Sequence, residues 1–155
     1  MDEILVCRCL FDAGGLGLLQ IGQPRAVLGQ RTEDGGRKIM EKKLENLRVW
    51  NDARTFVLGI YEIMRDCHDF GFKDQIQRAA VSVMNNIAEG FDAGSDEQFI
   101  RYLNIAKGSS SEVKSMLYLC EDLGYCTAEK KELLLTQQAS IASQLSSFIT
   151  FLKKK

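Results

Sequence analysis

Few residue combinations in this sequence could support catalysis, and the first is the neighbouring pair Cys67 and His68. A thiol nucleophile needs a base within hydrogen-bonding distance, and His68 is the single histidine of the chain. Adjacent residues of a helix point in different directions, so sequence neighbourhood does not make these two side chains a dyad. The pair also lies in the polar turn 66–69, at a predicted helix end. We therefore expect no catalytic residue here, and we expect the protein not to be an enzyme.

Polar residues follow one side of the second predicted helix at helical spacing. These residues are Gln75, Arg78, Ser82, Asn86 and Glu89. Inside a bundle they would need partners, because an unpaired buried polar group costs about 1 to 3 kcal/mol. The next helix offers Ser109, Ser111 and Glu112. We interpret the set as a structural polar network that fixes helix register or a subunit contact, rather than as an active site. Its assigned members are Arg78, Ser82, Asn86, Glu89 and Glu112.

A run of small residues, from Ala106 to Ser111, interrupts the third predicted helix. Glycine lowers helix stability by about 1 kcal/mol relative to alanine, so a compensating interaction is expected at Gly108. Small side chains allow another backbone to approach closely. We interpret the run as a packing notch inside the bundle or at an oligomer interface, with a phosphate-binding loop as the alternative.

Charge gives no general signature of nucleic-acid binding, because the net formal charge is −1. Basic residues nevertheless gather early in the predicted domain and at its end. The candidates for nucleic-acid contact are Lys42, Lys43, Arg48, Arg54, Lys153, Lys154 and Lys155. Solvated helix ends are the simpler explanation of this pattern.

The cysteines indicate a reducing compartment. Five are present at irregular spacing, without a Cys-x-x-Cys pair, which argues against a secreted disulfide framework. With one histidine, a zinc site of ordinary ligand spacing is not expected. The acidic start and the broken apolar pattern after it resemble neither a signal peptide nor a membrane span. We expect a cytoplasmic protein without metal or cofactor.

The chain divides near Met40. Residues 1–39 contain seven of the thirteen glycines and the only proline, and show no periodic apolar pattern. We expect them to form a disordered leader that is either upstream or non-native sequence. Met40 is typical of a natural start, so residues 40–155 are assigned to the folded domain.

Four amphipathic helices are predicted in that domain from apolar residues at i, i+3, i+4 and i+7. The first runs from Asn46 to near Cys67, with Gly71 in the following reversal, and the second ends at Gly90. Ser95 caps the third, which stops at Gly124, and the fourth follows Thr127. Short connections make neighbours antiparallel, so the predicted fold is an all-α, up-down-up-down four-helix bundle.

The first helix carries two adjoining apolar stripes, which together are wider than one bundle core requires. One stripe passes through Val49, Phe56 and Ile63, and the other through Trp50, Val57 and Met64. If each helix buries one stripe, apolar surface is left over, and a monomer that exposed both stripes would carry an apolar patch large enough to mark an interaction site. The pattern therefore predicts self-association.

Several segments resemble a known family, the four-helix bundle proteins encoded in intervening sequences of bacterial 23S rRNA genes. The resemblance spans Leu44 to about Leu152. It rests on Leu47-Arg48-Val49-Trp50, on residues 75–83 and 86–90, on Ser95 with residues 99–103, and on residues 105–109 with Glu112. The turn at residues 66–72 departs from the family pattern, which usually has a proline there.

The family is also similar to the accessory proteins of diversity-generating retroelements. Those accessory proteins form pentamers that bind RNA and a reverse transcriptase, so the likeness implies a non-catalytic homo-oligomer, expected as a pentamer, with RNA and a reverse transcriptase as candidate partners. The sequence thus supports two functions: an RNA- or ribonucleoprotein-associated accessory factor, or a protein-interaction scaffold with no nucleic-acid role. An enzyme using Arg78, Glu89 and Glu112 is the third and weakest hypothesis.

Overall fold

The computed structural model describes residues 43–155, which form a short 3-10 turn, Leu44–Asn46, and four α-helices. The helices are α1 (Arg48–Ile63), α2 (Phe70–Phe91), α3 (Asp96–Asp122) and α4 (Ala128–Lys154). This part of the chain contains no strand. The expectations for residues 1–39 and for Lys42 lie outside the described residues.

Each helix packs against its neighbours in sequence, and α1 also packs against α4, which closes the bundle. Between α2 and α3, Ser82 contacts Ser109 while Gln75, earlier in the chain, contacts the later Glu112, so these helices are antiparallel. α3 and α4 are also antiparallel, since Ser110 contacts Gln138 and the later Glu121 contacts the earlier Lys131. The same holds for α1 and α4, where Asp52 contacts Gln144 and the later Glu62 contacts the earlier Lys130. The predicted antiparallel four-helix bundle is confirmed.

Antiparallel packing gives the bundle two ends that differ in composition. The lysine end holds the start of α1, the α2–α3 turn and the end of α4, with Lys43, Arg48 and residues 153–155. The cysteine end holds the α1–α2 and α3–α4 connections, with Cys67, Cys120 and Cys126. The two ends therefore offer different chemistry.

The core is formed by one apolar stripe from each of α2, α3 and α4 and by a wider face of α1. Burying a side chain such as Phe56, Ile87 or Leu145, each with no exposed surface, stabilises the fold by roughly 1.5 to 3 kcal/mol. The largest fully buried side chains include Phe56, Leu47, Ile60, Met64, Ile76, Ile87, Leu103, Leu117, Ile141 and Leu145.

Both apolar stripes of α1 belong to this core, so the expectation that one of them is left exposed was wrong. Phe56 and Met64, from different stripes, have no exposed surface, and Trp50 and Ile63 are half-buried against the core. The physical reason is that α1 packs against two helices, α2 and α4, which together cover a wider face than one neighbour would. Self-association remains a prediction, but α1 does not supply this reason for it.

Side chains cap the start of three helices. Ser95 Oγ accepts the N–H of Gln98 at 3.2 Å, and Thr127 Oγ1 accepts that of Lys130 at 3.3 Å, as the sequence indicated. The third cap, Asp69, was not predicted: its Oδ1 accepts the N–H of Phe72 at 3.0 Å. Gly71 therefore lies inside the first turn of α2 and not in a reversal, and α1 ends at Ile63, earlier than expected.

Gly124 ends α3 with its φ of 74°, a conformation that other residues rarely adopt. The Tyr125 N–H donates to the Cys120 carbonyl at 2.8 Å, and the Gly124 N–H donates to the Glu121 carbonyl at 2.9 Å. This pair of hydrogen bonds is the Schellman motif, which satisfies carbonyls left free at a helix end.

Gly90 allows α2 and α3 to approach closely instead of ending α2, which continues to Phe91. A Cβ atom built on Gly90 would lie 2.5 Å from Cδ2 of Phe99, on α3. At Gly108 the same construction meets nothing within 4 Å. A packing notch inside the bundle is therefore wrong for Gly108, which faces solvent, and Gly90 has that role instead.

The two glycines should respond oppositely to alanine. Gly90→Ala should lower the free energy of unfolding by roughly 1 to 3 kcal/mol, because the ring of Phe99 must move. Gly108→Ala should raise it by roughly 0.5 to 1 kcal/mol through helix propensity alone. Urea unfolding followed by circular dichroism measures both. Gly94→Ala, where a Cβ also meets nothing, is the matched control for Gly90; equal stabilities of these two variants would contradict the close approach.

Candidate functional site

The polar stripe of α2 is centred on Ser82. Its Oγ and that of Ser109 on α3 are 2.9 Å apart and share a hydrogen bond. The Asn86 side-chain amide donates to the Ser82 carbonyl at 2.8 Å and to the Ser82 Oγ at 3.1 Å. All three side chains are partly buried, and the Ser82–Ser109 hydrogen bond links α2 to α3 at this point along the two helices.

The other residues assigned to the network lie around this centre without joining it. The Gln75 amide donates to Glu112 at 3.3 Å, at the exposed edge of the same interface. Arg78 pairs with Asp74, one turn earlier on its own helix, at 3.2 Å, and its side chain is 72% exposed. Glu89 is exposed and lines a neighbouring cleft.

Two shallow clefts of about 380 Å³ each border this stripe and share Asp74, Arg78 and Ser82. They present hydrogen-bond donors, acceptors and both signs of charge over an open surface. Such a surface suits contact with another polar surface better than enclosure of a small molecule.

A buried polar pair between α3 and α4 was not identified from the sequence. The Gln138 amide donates to Ser110 Oγ at 3.0 Å, and both residues are buried. In the sequence, Ser110 and Gln138 each occupy a position of the apolar spacing of their helix, and two polar residues at such positions are the signal that could have joined them. Because an unpaired buried polar group is costly, the pair favours one axial register of α3 against α4.

Five of the seven basic candidates lie at the lysine end. Lys43 and Arg48 precede and begin α1, and Lys153, Lys154 and Lys155 end α4. Arg48 pairs with Asp52 at 3.7 Å, and Lys155 pairs with Asp96 at 3.1 Å. Arg54 lies farther along α1, exposed and away from this group. Among residues 43–155, no ion pair involves Lys153 or Lys154, and both are exposed.

An aromatic cleft of about 410 Å³, which we call the phenylalanine pocket, opens at the same end. The Phe99 and Phe148 rings meet edge to face, 4.9 Å between centroids. The pocket is lined by Phe91, Phe99, Phe148 and Phe151, with Leu152, Lys155 and residues 93–96. The pocket was not predicted from the sequence, because its walls come from three helices whose ends meet only in the fold.

Hydrogen bonds around Asp69 join the α1–α2 and α3–α4 connections at the cysteine end. Tyr125 donates its hydroxyl hydrogen to Asp69 Oδ2 at 3.0 Å, and its ring meets Phe72 edge to face. The Phe72 N–H, and then the Tyr125 hydroxyl, lower the pKa of Asp69 below its ordinary value of 3.8. The same carboxylate raises the pKa of Tyr125. The capped start of α2 and the end of α3 are thereby coupled.

The thiols at this end show no nucleophilic arrangement. Burial, and then a hydrogen bond with Cys126, raises the pKa of Cys120, so its thiol stays protonated. Cys67 donates weakly to the Asp69 carbonyl at 3.8 Å, while His68 is exposed in the turn. In the described part of the chain, no group of three or more histidine, cysteine or acidic side chains could hold a metal ion.

Exposed apolar side chains are concentrated in the half of the bundle next to the cysteine end, and seven of the eight large ones lie there. We call them the apolar half: Leu58, Tyr61, Phe70, Tyr118, Leu119, Leu123 and Leu133. Ile105 is the exception. Within residues 43–155, no helix combines the length and the apolar character required to cross a bilayer.

The fold and its surfaces define a small all-α four-helix bundle protein. Residues 45–147 match the family model for the 23S rRNA-intervening sequence protein, and the chain belongs to this family. A similar solved structure is a Bacteroides thetaiotaomicron protein with unknown function from the S23 ribosomal protein family. The two chains are 30% identical with a TM-score of 0.62, over 65% of this chain and 97% of the other. No curated protein sequence matches this chain.

The Asp69 cap should make part of the stability depend on pH. A carboxylate with a lowered pKa in the folded state stabilises the fold above its ordinary value of 3.8, and this contribution is lost as pH falls through the folded-state value. Asp69→Asn keeps a capping oxygen but does not titrate. We expect the melting temperature of the original chain to fall more steeply below pH 3.8 than that of the variant. Parallel acid dependences would show that Asp69 is not the titrating group.

Proposed function

We propose that this protein is a non-catalytic, self-associating helical accessory protein that binds structured RNA through its lysine end. The observation that carries the proposal is that five basic residues, distant in sequence, meet at this end. Support also comes from the membership of a family named for 23S rRNA intervening sequences, and from a structural relative in the S23 ribosomal protein family.

Lys153 and Lys154 are the residues most able to contact phosphates. Arg48 and Lys155 are each held by a carboxylate, which would have to be released before either bound an anion. Glu45, Asp92 and Glu97 lie at the same end, so its charge is mixed. Attraction for RNA is therefore local to the end of α4 and does not extend over a broad positive face.

The proposed protein is non-catalytic because the groups that could act as nucleophile or base are not placed to react with each other. His68 is exposed and has no nucleophile beside it, since the Cys67 thiol turns to a backbone carbonyl. The clefts beside Arg78 and Glu89 are shallow and open to solvent. An accessory role that depends on surfaces requires neither a nucleophile nor an enclosed pocket.

Neutralising two lysines tests RNA binding. Lys153→Gln with Lys154→Gln should weaken binding to a labelled RNA hairpin and make the affinity less dependent on salt. On a duplex, log K falls with log salt concentration, and each lost phosphate contact makes this slope less negative by about 0.9. Fluorescence anisotropy at several salt concentrations measures both effects.

The control is Lys107→Gln with Lys114→Gln, which removes the same charge from two exposed positions along α3. This variant should bind RNA like the original chain. Equal losses in the two double variants would indicate a general charge effect, and no binding by the original chain at low salt would refute RNA recognition.

A protein-interaction scaffold is the second candidate, and the exposed side chains of the apolar half favour it. Leu58 and Leu133 are 63% and 60% exposed, and five further large apolar side chains are exposed in the same half. These side chains would bury their surface either against further copies of this chain or against another protein. An oligomer with closed rotational symmetry would bury the apolar half of every copy. The family resemblance implies a pentamer.

Light scattering coupled to size exclusion should therefore give a mass several times that of one chain. Leu119→Ser with Leu123→Ser should lower that mass, because both side chains belong to the apolar half and are 47% exposed. Ile105→Ser, at an exposed position in the other half, is the control and should leave the mass unchanged. A single-chain mass for the original protein would exclude self-association under those conditions.

A further inference from the structure

We propose that the phenylalanine pocket takes one unpaired nucleobase of the bound RNA. This inference rests on the proposed RNA-binding function, and it names the part of the RNA that the lysine end recognises. A pocket for a base and a pair of cations for phosphates would together select structured RNA with an unpaired nucleotide over a continuous duplex.

The pocket has the size and the walls that a planar ring requires. Its volume of about 410 Å³ lies within the range of roughly 300 to 1,000 Å³ for small-molecule sites. Phe148 is nearly buried and its edge-to-face contact fixes Phe99, while Phe91 and Phe151 are half-buried and border the opening. Aromatic walls accept any base, because every base has a flat apolar face.

The rim supplies polar groups of both signs next to these walls. Asp96 and Lys155 border the pocket and pair with each other at 3.1 Å. An amino group on the edge of a base could donate to the Asp96 carboxylate, and the released Lys155 ammonium could then contact the adjoining phosphate. Exchange of one ion pair for two charge-assisted contacts keeps both side chains satisfied.

Charge complementarity favours a nucleotide over an apolar occupant. Lys153 and Lys154 come two and three residues after Phe151 in the last turn of α4, and neither has an ionic partner in the described part of the chain. A leucine or phenylalanine side chain from another protein would fill the pocket but leave these cations without a partner. A nucleotide occupies the pocket with its base and meets the lysines with its phosphates.

The experiment compares three RNA probes that share one stem: a hairpin with an unpaired purine loop, the same hairpin with an abasic loop, and a blunt duplex. Phe151→Leu keeps the pocket apolar but removes a ring. It should weaken binding of the purine hairpin about tenfold, equivalent to about 1.4 kcal/mol. Binding of the abasic hairpin and of the duplex should not change. A 2-aminopurine in the loop should change its fluorescence on binding.

Ile105→Ala is the control, because Ile105 is an exposed apolar side chain, 43% exposed, that belongs neither to the pocket nor to the apolar half. It should bind all three probes like the original chain. If the purine and abasic hairpins bind equally well and Phe151→Leu changes neither, the pocket does not hold a base, although RNA binding stands. If no probe binds, the proposed function fails and the inference with it. If Phe151→Leu changes only the mass in solution, the occupant is another protein chain and the inference is overturned.

Discussion

The close approach of α2 and α3 at Gly90 is the constraint on which the lysine end depends. Because no side chain separates the helices there, the Phe99 ring lies directly against the α2 backbone. In that position Phe99 meets Phe148 of α4 edge to face. The contact brings the end of α4 to the α2–α3 turn, where Lys155 reaches Asp96. The absence of a side chain at Gly90 therefore admits the Phe99 ring that forms one wall of the phenylalanine pocket, beside Lys155.

The sequence was sufficient to predict the helices and their order, because apolar periodicity and capping residues act locally. Ser95 and Thr127 cap the helices expected of them, and Gly124 ends α3. The α1–α2 connection was less predictable, since both Asp69 and Gly71 are compatible with a turn. Periodicity also shows that a face is apolar without showing how many neighbours cover it, which is why the two stripes of α1 were misjudged.

The candidate site was predictable only where its residues share one element. The α2 stripe was found from spacing, yet the distribution of its partners was not: Ser82 bonds to Ser109, whereas Arg78 turns to Asp74. The phenylalanine pocket depends on which helix ends meet and on a glycine that admits Phe99. That information is tertiary, and a single sequence carries only indirect signs of it.

Antiparallel packing has a geometric consequence for how copies of this chain would act together. α3 contains 27 residues and is therefore about 40 Å long, so Leu119 and Leu123, near its far end in the apolar half, lie roughly 35 Å or more from the lysine end. Copies that associated through the apolar half would hold their lysine ends apart, facing outward at fixed spacing. A single contact with RNA at such an end would be weak. Once one lysine end had bound a long RNA, the other lysine ends of the oligomer would meet the same RNA at a high effective concentration. Avidity would then select RNAs whose unpaired nucleotides match the spacing of the lysine ends.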